Sequence, residues 1–174
     1  LKNFFENKKN ILGIEPSKNV AEKAISEGVP TINQFFTTEN VSKLKDFIGC
    51  TDVIIASNCI CHIPDLNNLI ESIDILLSKN GTFIFEEPYL GSMFEKTSYD
   101  QIYDEHIYMF SASSIKKIFD LYNFELVDVL PQITHGGSLR YVVKRKNTSD
   151  KSKRLKLFLE NEKINKLDSI ESCL

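Results

Sequence analysis

The sequence "TDVIIASNCICHIPDLNNLIESIDILLSKNGTFIFEE" occupies residues 51–87 and predicts a strand, a helix and a second strand. "TDVIIAS" and "GTFIFEE" are short apolar runs of the kind that form strands buried on both faces. Between them, Asp65 is placed to cap a helix with a single apolar stripe. That stripe consists of Leu66, Leu69, Ile70, Ile73, Leu76 and Leu77. Because a helix joining two parallel strands makes a right-handed crossover, the segment predicts an α/β fold.

The same alternation continues on both sides of this unit. Upstream we predict strands over "ILGIE" (11–15) and "PTINQFF" (30–36), with a helix from Ser17 to Gly28 between them and another over 38–49. Downstream we predict a helix over 111–124 capped by Ser111, then a hairpin of strands 124–131 and 138–146. This order predicts a doubly wound, mostly parallel sheet with an antiparallel last strand and helices on both faces.

Composition limits the domain count and the class of partner. The chain has 174 residues, of which 42% are hydrophobic and 26% charged, with a net charge of −3. We expect one domain over 1–147, and an amphipathic helix after Asp150 that opens a C-terminal domain over 148–174. The charge predicts no binding to nucleic acid or membrane. The four cysteines lack a secreted pattern, so we expect a cytoplasmic protein, and we expect a monomer.

Ligands of such sheets bind beyond the carboxyl ends of the strands, so the segments after strands are the candidate site. Glu15 ends the first strand and either binds the two hydroxyls of a ribose or is solvated; its position favours neither. Asn58 and His62 lie in "SNCICHIPD" (57–65) and either contact a ligand or cap the loop. Cys59, Cys61 and His62 do not have a standard zinc spacing, so we predict no metal in this chain.

Two further segments carry polar clusters. "YDQIYDEHIYMFS" (99–111) contains the residues of an acid–base site, an imidazole beside a carboxylate and phenols. Spacing alone favours the alternative, an exposed loop whose tyrosines lie on the core. "THGGSLR" (134–140) has two glycines and then Ser138 and Arg140, which suit a phosphate or carboxylate or, equally, an ordinary hairpin turn.

Together these motifs resemble the S-adenosylmethionine (SAM)-dependent C-methyltransferases of deoxysugar biosynthesis, which act on nucleotide-linked 4-keto sugars. "GIEPS" is similar to the second nucleotide motif of that family, and "FEEPYL" to its E-x-P-Y-L strand end. "YDQIYDEHIYMFS" resembles its Y-D-x-I-Y-H-E-H-x-x-Y-F-S motif, and "HGGSLR" is the same in both. The similarity extends from Ile11 to about Lys146. It implies the class I methyltransferase fold, a Rossmann-like sheet.

The resemblance also implies a mechanism and a set of site residues. His106 corresponds to the base that removes the proton on C3, next to the C4 ketone, and the resulting enolate attacks the methyl group of SAM. The implied catalytic residues are His106, Glu105, Tyr103 and His62, the last as a hydrogen-bond partner of the enolate oxygen. The implied substrate-binding residues are Asn58, Tyr89, Tyr99, His135 and Arg140. The implied cofactor-binding residues are Glu15, Pro16, Phe36, Ser57 and Asn58.

The sequence departs from that family in three respects. Asp104 stands where the family motif has its first histidine. The glycine-rich first SAM motif and the N-terminal zinc-binding domain are absent, so we expect a fragment of a longer protein, with zinc possible only in the missing domain. The alternatives are an inactive methyltransferase-like fragment, an α/β binding module, or a nicotinamide-dependent oxidoreductase. The last would need a tyrosine–lysine pair, and no Y-x-x-x-K sequence occurs.

Overall fold

The computed structural model describes residues 10–167 and Ser169, which contain six strands and six helices. The strands are β1 (Gly13–Ile14), β2 (Thr31–Ile32), β3 (Thr51–Ser57), β4 (Leu77–Pro88), β5 (Phe124–Gln132) and β6 (Ser138–Arg145). The helices are α1 (Lys18–Ser26), α2 (Thr38–Val41), α3 (Leu66–Leu76), α4 (Leu90–Lys96), α5 (Ala112–Asp120) and α6 (Lys153–Ile164). Three 3₁₀ turns are Ile60–His62, Tyr99–Gln101 and Thr134–Gly136. None of the described helices is long and apolar enough to cross a membrane.

The main sheet has the strand order β3-β4-β6-β5. β3 and β4 are parallel, with Ser57 opposite Glu86, so their carboxyl ends lie at one edge of the sheet. β6 is antiparallel to both β4 and β5. The predicted α/β sheet with a reversed last strand is therefore confirmed, and the segments after β3 and β4 are neighbours in space as expected.

The prediction of one continuous sheet is wrong for the described residues. β1 and β2 pair in parallel only with each other and form a separate two-stranded sheet. No strand lies between β2 and β3, because α2 and turns occupy that stretch of chain. β2 is shorter than predicted, since Asn33 turns back and donates its side-chain amide to the carbonyl oxygens of Glu15 and Pro16. α2 likewise ends at Val41 rather than at 49.

The hydrophobic core lies on one face of the main sheet. Phe83 and Phe85 of β4 stack with a ring-centroid distance of 5.0 Å, and Phe85 stacks on the fully buried Tyr141 of β6. Helices α3, α5 and α6 pack on this face through Ile70, Ile73, Ile115, Phe119 and Leu155. On the opposite face of β3, Val53 and Ile55 remain 48% and 50% exposed. We expected helices on both faces of the sheet. Within the described residues, the helices form a core on only one face of the main sheet.

The helix caps follow the sequence closely. The Asp65 side chain accepts from the Asn68 amide at the start of α3, and Ser111 forms a reciprocal capping box with Ser114 at the start of α5. Gly28 ends α1 with φ 86°, as its position predicted. α6 places Leu155 in the main core. The division into domains at residue 147 stays a prediction.

Candidate active site

The loop after β3, residues 58–62, rests on a buried carboxylate. Glu87, at the end of β4, is fully buried, and its Oε1 accepts the backbone N–H groups of Cys59 at 3.0 Å and Ile60 at 2.7 Å. Hydrogen bonds to a charged acceptor are among the stronger ones in proteins. Glu87 therefore fixes the turn that presents His62, a role that the sequence analysis did not assign to it. The strand alternation gave a signal, because it puts Glu87 on the same face as Phe83 and Phe85.

The charge of Glu87 also affects the two cysteines of this loop. Burial and the nearby Glu87 carboxylate raise the pKa of Cys59 to about 11, with a smaller contribution from Glu15. Burial, followed by Glu87, raises the pKa of Cys61 well above its ordinary value. Both groups are therefore neutral thiols at pH 7.

The segment 99–109, which carries His106, meets this loop through backbone hydrogen bonds. The carbonyl oxygen of Cys61 accepts the amide of Ile107 at 3.0 Å and, more weakly, the amide of Tyr108 at 3.3 Å. His62 Nδ1 lies 2.6 Å from the carbonyl oxygen of Glu105. These contacts bring the two imidazole rings to a centroid distance of 5.0 Å. The structure thus brings together two histidines from sequence motifs that lie far apart.

The hydrogen bonds of His106 determine which of its nitrogens carries a proton. Nδ1 lies 2.8 Å from the carbonyl oxygen of Gln101, and because a carbonyl only accepts, Nδ1 is the donor. In the neutral ring Nε2 then holds a lone pair, to which the Tyr103 hydroxyl donates at 2.7 Å. Partial removal from water, with a smaller contribution from the charge of Glu105, raises the pKa of Tyr103 and keeps it a phenol. His106 is therefore an oriented imidazole of the kind that acts as a general base.

A surface pocket of about 310 Å³ adjoins the histidine pair. It is lined by His62, Asp104, Glu105 and Ile107. Glu105 thus lines the pocket, as the sequence analysis expected of a catalytic neighbour, and its backbone carbonyl orients His62. Asp104, which departs from the family motif, lies at the same pocket.

The residues predicted to bind the cofactor lie around the carboxyl ends of β1 and β3. Glu15 accepts the Ser17 amide through Oε1 at 2.8 Å, and its other carboxylate oxygen makes no hydrogen bond within the described residues. Asn58 has φ 50°, and its buried Oδ1 has no hydrogen-bond partner in the same part of the chain. Ser57 and Pro16 are exposed, whereas Phe36 packs against the core. An unpaired carboxylate oxygen and an unpaired buried amide oxygen suit the hydroxyl and amino groups of a nucleoside.

Tyr89, predicted to bind substrate, is directed to α6. Its hydroxyl donates to Glu162 Oε1 at 3.0 Å. Burial and the adjacent Glu162 raise its pKa strongly. Glu162 is itself 1% exposed and also accepts the amides of Ala112 and Ser113, each at 2.7 Å. The sequence analysis missed this role, although Leu155, Phe158, Leu159 and Glu162 already shared the spacing of one helical stripe.

The remaining predicted substrate residues lie on the surface. Arg140 donates to Glu86 Oε2 from Nη2 at 2.8 Å and from Nε at 3.2 Å, so its guanidinium already has a carboxylate partner. Burial opposes the charge of Glu86, but hydrogen bonds from Thr134 and Arg140 outweigh it and hold the pKa of Glu86 below its ordinary value. His135 has φ 48° in a 3₁₀ turn, and Tyr99 is 75% exposed. Nothing in these positions joins them to the histidine pair, and their assignment stays a prediction.

Comparison with known sequences identifies the family to which this chain belongs. Residues 1–129 match the family model described as "Methyltransferase domain". The chain belongs to this methyltransferase family. It is also 32% identical over 129 residues to the C-methyltransferase NovU of Streptomyces niveus, an alignment covering 74% of this chain and 31% of NovU. The chain thus spans about a third of that relative.

Solved structures agree on the fold. A SAM-dependent methyltransferase from Anabaena variabilis matches with a TM-score of 0.60 and 20% identity, covering 83% of this chain and 72% of that chain. The 1,6-didemethyltoxoflavin-N1-methyltransferase of Burkholderia thailandensis, solved with bound S-adenosylhomocysteine, matches with a TM-score of 0.59 and 17% identity, covering 83% and 65%. The family match and this fold together make the chain a methyltransferase-family domain with the α/β architecture of these solved structures.

Proposed function

We propose that this domain methylates carbon 3 of a nucleotide-linked 4-keto-deoxysugar, with His106 as the base. The observation that carries the proposal is the histidine pair, held at a centroid distance of 5.0 Å beside an open pocket that His62 lines. The similarity to a C-methyltransferase supports transfer to carbon. SAM supplies the electrophilic methyl group for this reaction.

In the proposed reaction, His106 takes the proton from the carbon next to the ketone. The bond from Nδ1 to the Gln101 carbonyl fixes the ring so that the Nε2 lone pair receives this proton. The Tyr103 hydroxyl leaves Nε2 when the proton arrives, since the protonated nitrogen no longer accepts. A base positioned in this way contributes roughly 10²–10⁴-fold to the rate.

His62 is the proposed hydrogen-bond donor to the enolate oxygen. Its Nδ1 already donates to the Glu105 carbonyl, so its Nε2 can donate only when the ring is doubly protonated. The proposed reaction therefore requires His62 charged and His106 neutral. An imidazolium at this position stabilises the developing negative charge in the way that an oxyanion-hole donor does.

The cofactor contacts are proposed for Glu15 and Asn58. The free carboxylate oxygen of Glu15 would accept from the ribose hydroxyls, and the unpaired Oδ1 of Asn58 would accept from an amino group. Burying an amide oxygen without a partner is costly, and a left-handed backbone at a non-glycine residue is also unfavourable. A bound nucleoside that donates to Asn58 would remove the first of these costs.

The proposal is tested by mass spectrometry on a protein that carries this chain, incubated with SAM and a nucleotide-linked 4-keto-6-deoxysugar. We expect the sugar to gain one methylene unit, and His106→Ala to abolish that gain. A second measurement follows exchange of the C3 proton for deuterium in D₂O, which reports the base without methyl transfer.

The matched control is Glu160→Ala, which removes an exposed carboxylate on α6. It should keep both the methylation and the exchange. Wild-type exchange in His106→Ala would show that another group is the base. Binding of SAM without any methylated product would leave the domain as a cofactor-binding fragment and would contradict the proposed substrate.

A further inference from the structure

Three ligand-type side chains converge where the two histidine motifs meet. One ligand atom from each of Cys61, His62 and His106 lies within 4.8 Å of the other two. The sequence alone gave only Cys59, Cys61 and His62, a set without a zinc spacing. The fold changes that set, because the backbone hydrogen bond from Ile107 to the Cys61 carbonyl brings His106 against the loop.

The two imidazoles are prepared for a metal in the same way. His62 Nδ1 donates to the Glu105 carbonyl and His106 Nδ1 donates to the Gln101 carbonyl. Metal-binding histidines characteristically use one nitrogen for such an outer hydrogen bond and the other for the metal. In their neutral forms both rings therefore keep Nε2 as the nitrogen that can offer a lone pair to a metal.

The surrounding charge also favours a cation. The buried carboxylate of Glu87 lies beside Cys61, close enough for its charge to act on the thiol. Two acidic residues, Asp104 and Glu105, line the pocket next to His62. Within the described residues no lysine or arginine is hydrogen-bonded or ion-paired to these groups.

We propose that Cys61, His62 and His106 form a zinc site with an open fourth position. Nitrogen and sulfur donors select zinc over magnesium or calcium, and three protein ligands with one open position are a common arrangement. Zinc–ligand bonds of roughly 2.0–2.3 Å require the three ligand atoms to approach by about 1 Å from their present spacing. On binding, the Cys61 S–H bond breaks, its proton passes to solvent, and a zinc–sulfur bond forms.

Zinc at this site takes the lone pair that the proposed base needs. This consequence rests on the proposed function: bound zinc inhibits methyl transfer because Nε2 of His106 can no longer accept a proton. The Tyr103 hydroxyl, which now donates to that nitrogen, is displaced toward the open position. Zinc binding itself does not depend on the reaction, so the zinc site and the proposed methyl transfer can be refuted independently.

Binding is tested first, by calorimetric titration of the reduced chain with ZnCl₂ alone. We expect one equivalent to bind, and we expect His62→Ala and His106→Ala each to weaken it by about 100-fold or more, since even outer-shell partners are worth 10–100-fold. His135→Ala is the matched control and should bind as the wild type does. Equal affinity in all four proteins, or no stoichiometric binding, overturns the proposal.

The cysteine ligand is tested with Co²⁺ as a spectroscopic probe. A cobalt–thiolate bond gives a charge-transfer band in the near ultraviolet, which should be present in wild type and in Cys59→Ser and absent in Cys61→Ser. Circular dichroism confirms that Cys61→Ser folds; if it does not fold, Cys61→Ala replaces it. A band that persists without Cys61, or that disappears without Cys59, contradicts the assigned ligand set.

The activity measurement separates the site from the proposed function. Zinc should inhibit the C3 proton exchange in wild type and in Glu160→Ala, a variant at an exposed carboxylate of α6, and EDTA should restore it. Stoichiometric binding to the three ligands with no exchange in any protein would preserve the site and refute the proposed base. Inhibition with the same zinc dependence in Cys61→Ser and wild type would place the inhibitory zinc elsewhere and overturn the proposal.

Discussion

The two segments that supply the histidine pair are held in place in different ways. The loop of His62 has a buried carboxylate beneath it, since Glu87 binds two of its backbone amides directly. The segment 99–109 has no such group, and its exposed side chains include Tyr99, Ile102 and Tyr103. It is held by contacts within itself and by the carbonyl of Cys61.

A second buried carboxylate acts on this segment only at its flanks. Glu162 binds Tyr89 before α4 and the first amides of α5, on either side of segment 99–109. The His62 loop is therefore part of the core. The position of His106 depends instead on that loop and on the two ends of segment 99–109, whose flanks Glu162 binds. Substitutions that disrupt the loop should therefore displace both histidines, and substitutions that disrupt the flanks should displace mainly His106.

The largest effect is expected from Glu87→Ala. It leaves the Ile60 amide without a partner at a buried position and the Cys59 amide without one at a partly buried position, and we expect the free energy of unfolding to fall by about 3 kcal/mol. Urea denaturation measures this as a lower midpoint with an unchanged slope. Glu105→Ala, at an exposed carboxylate in the other segment, is the control and should change stability by less than about 0.5 kcal/mol. Similar losses of stability in both variants would contradict the claim that the two segments are anchored differently.

Glu162→Ala should have the next largest effect. It removes the acceptor for two α5 amides and for Tyr89, and we expect a loss of about 2 kcal/mol because water can reach part of the helix terminus. Glu160→Ala, an exposed carboxylate on the same helix, is the matched control. Amide hydrogen exchange should show faster exchange in segment 99–109 than at Cys59 and Ile60. Equal acceleration in both would mean that the segments are not separately anchored.

Tyr103→Phe tests the contact within the His106 segment. It removes the hydroxyl that donates to Nε2, without removing the ring that packs 4.0 Å from the imidazole centroid. Because this hydrogen bond is made to the neutral base and is lost when the base is protonated, we expect the C3 proton exchange to become faster by up to about tenfold. Stability should change little. Asp100→Asn, at an exposed carboxylate in the same segment, should exchange at the wild-type rate, and a matching change there would point to a general loosening of the segment.

Glu86→Gln should have the smallest effect and depends on pH. The native pKa of Glu86 lies below its ordinary value, so its charge stabilises the fold above that ordinary value, and the contribution is lost as pH falls through the native pKa. We expect about 1 kcal/mol lost at pH 7, since the Arg140 partner is partly exposed. Chemical denaturation at a series of pH values should show the difference shrinking in acid. A pH-independent difference would contradict this ion-pair assignment.

Much of the fold could be read from the sequence. The βαβ unit of residues 51–87, the caps at Asp65 and Ser111, and the hairpin of β5 and β6 all follow from local patterns of apolar and capping residues. The predictions that were wrong concern strands, whose extent depends on the neighbouring strand with which each one pairs. β2 stops after Ile32, and β1 and β2 form a sheet of their own, because a strand needs a neighbour to pair with and periodicity does not supply one.

The sequence by itself determined which chemical groups are available: two histidines in polar motifs, a tyrosine-rich segment and an acid at the end of the first strand. Only the tertiary structure decided what they contact. Cys61 lies beside His62 and His106. The Tyr89 hydroxyl donates a hydrogen bond to Glu162, and Arg140 forms an ion pair with Glu86. The physical reason is that capping and strand alternation act over a few residues, whereas a buried carboxylate finds its donors wherever the packed chain brings them.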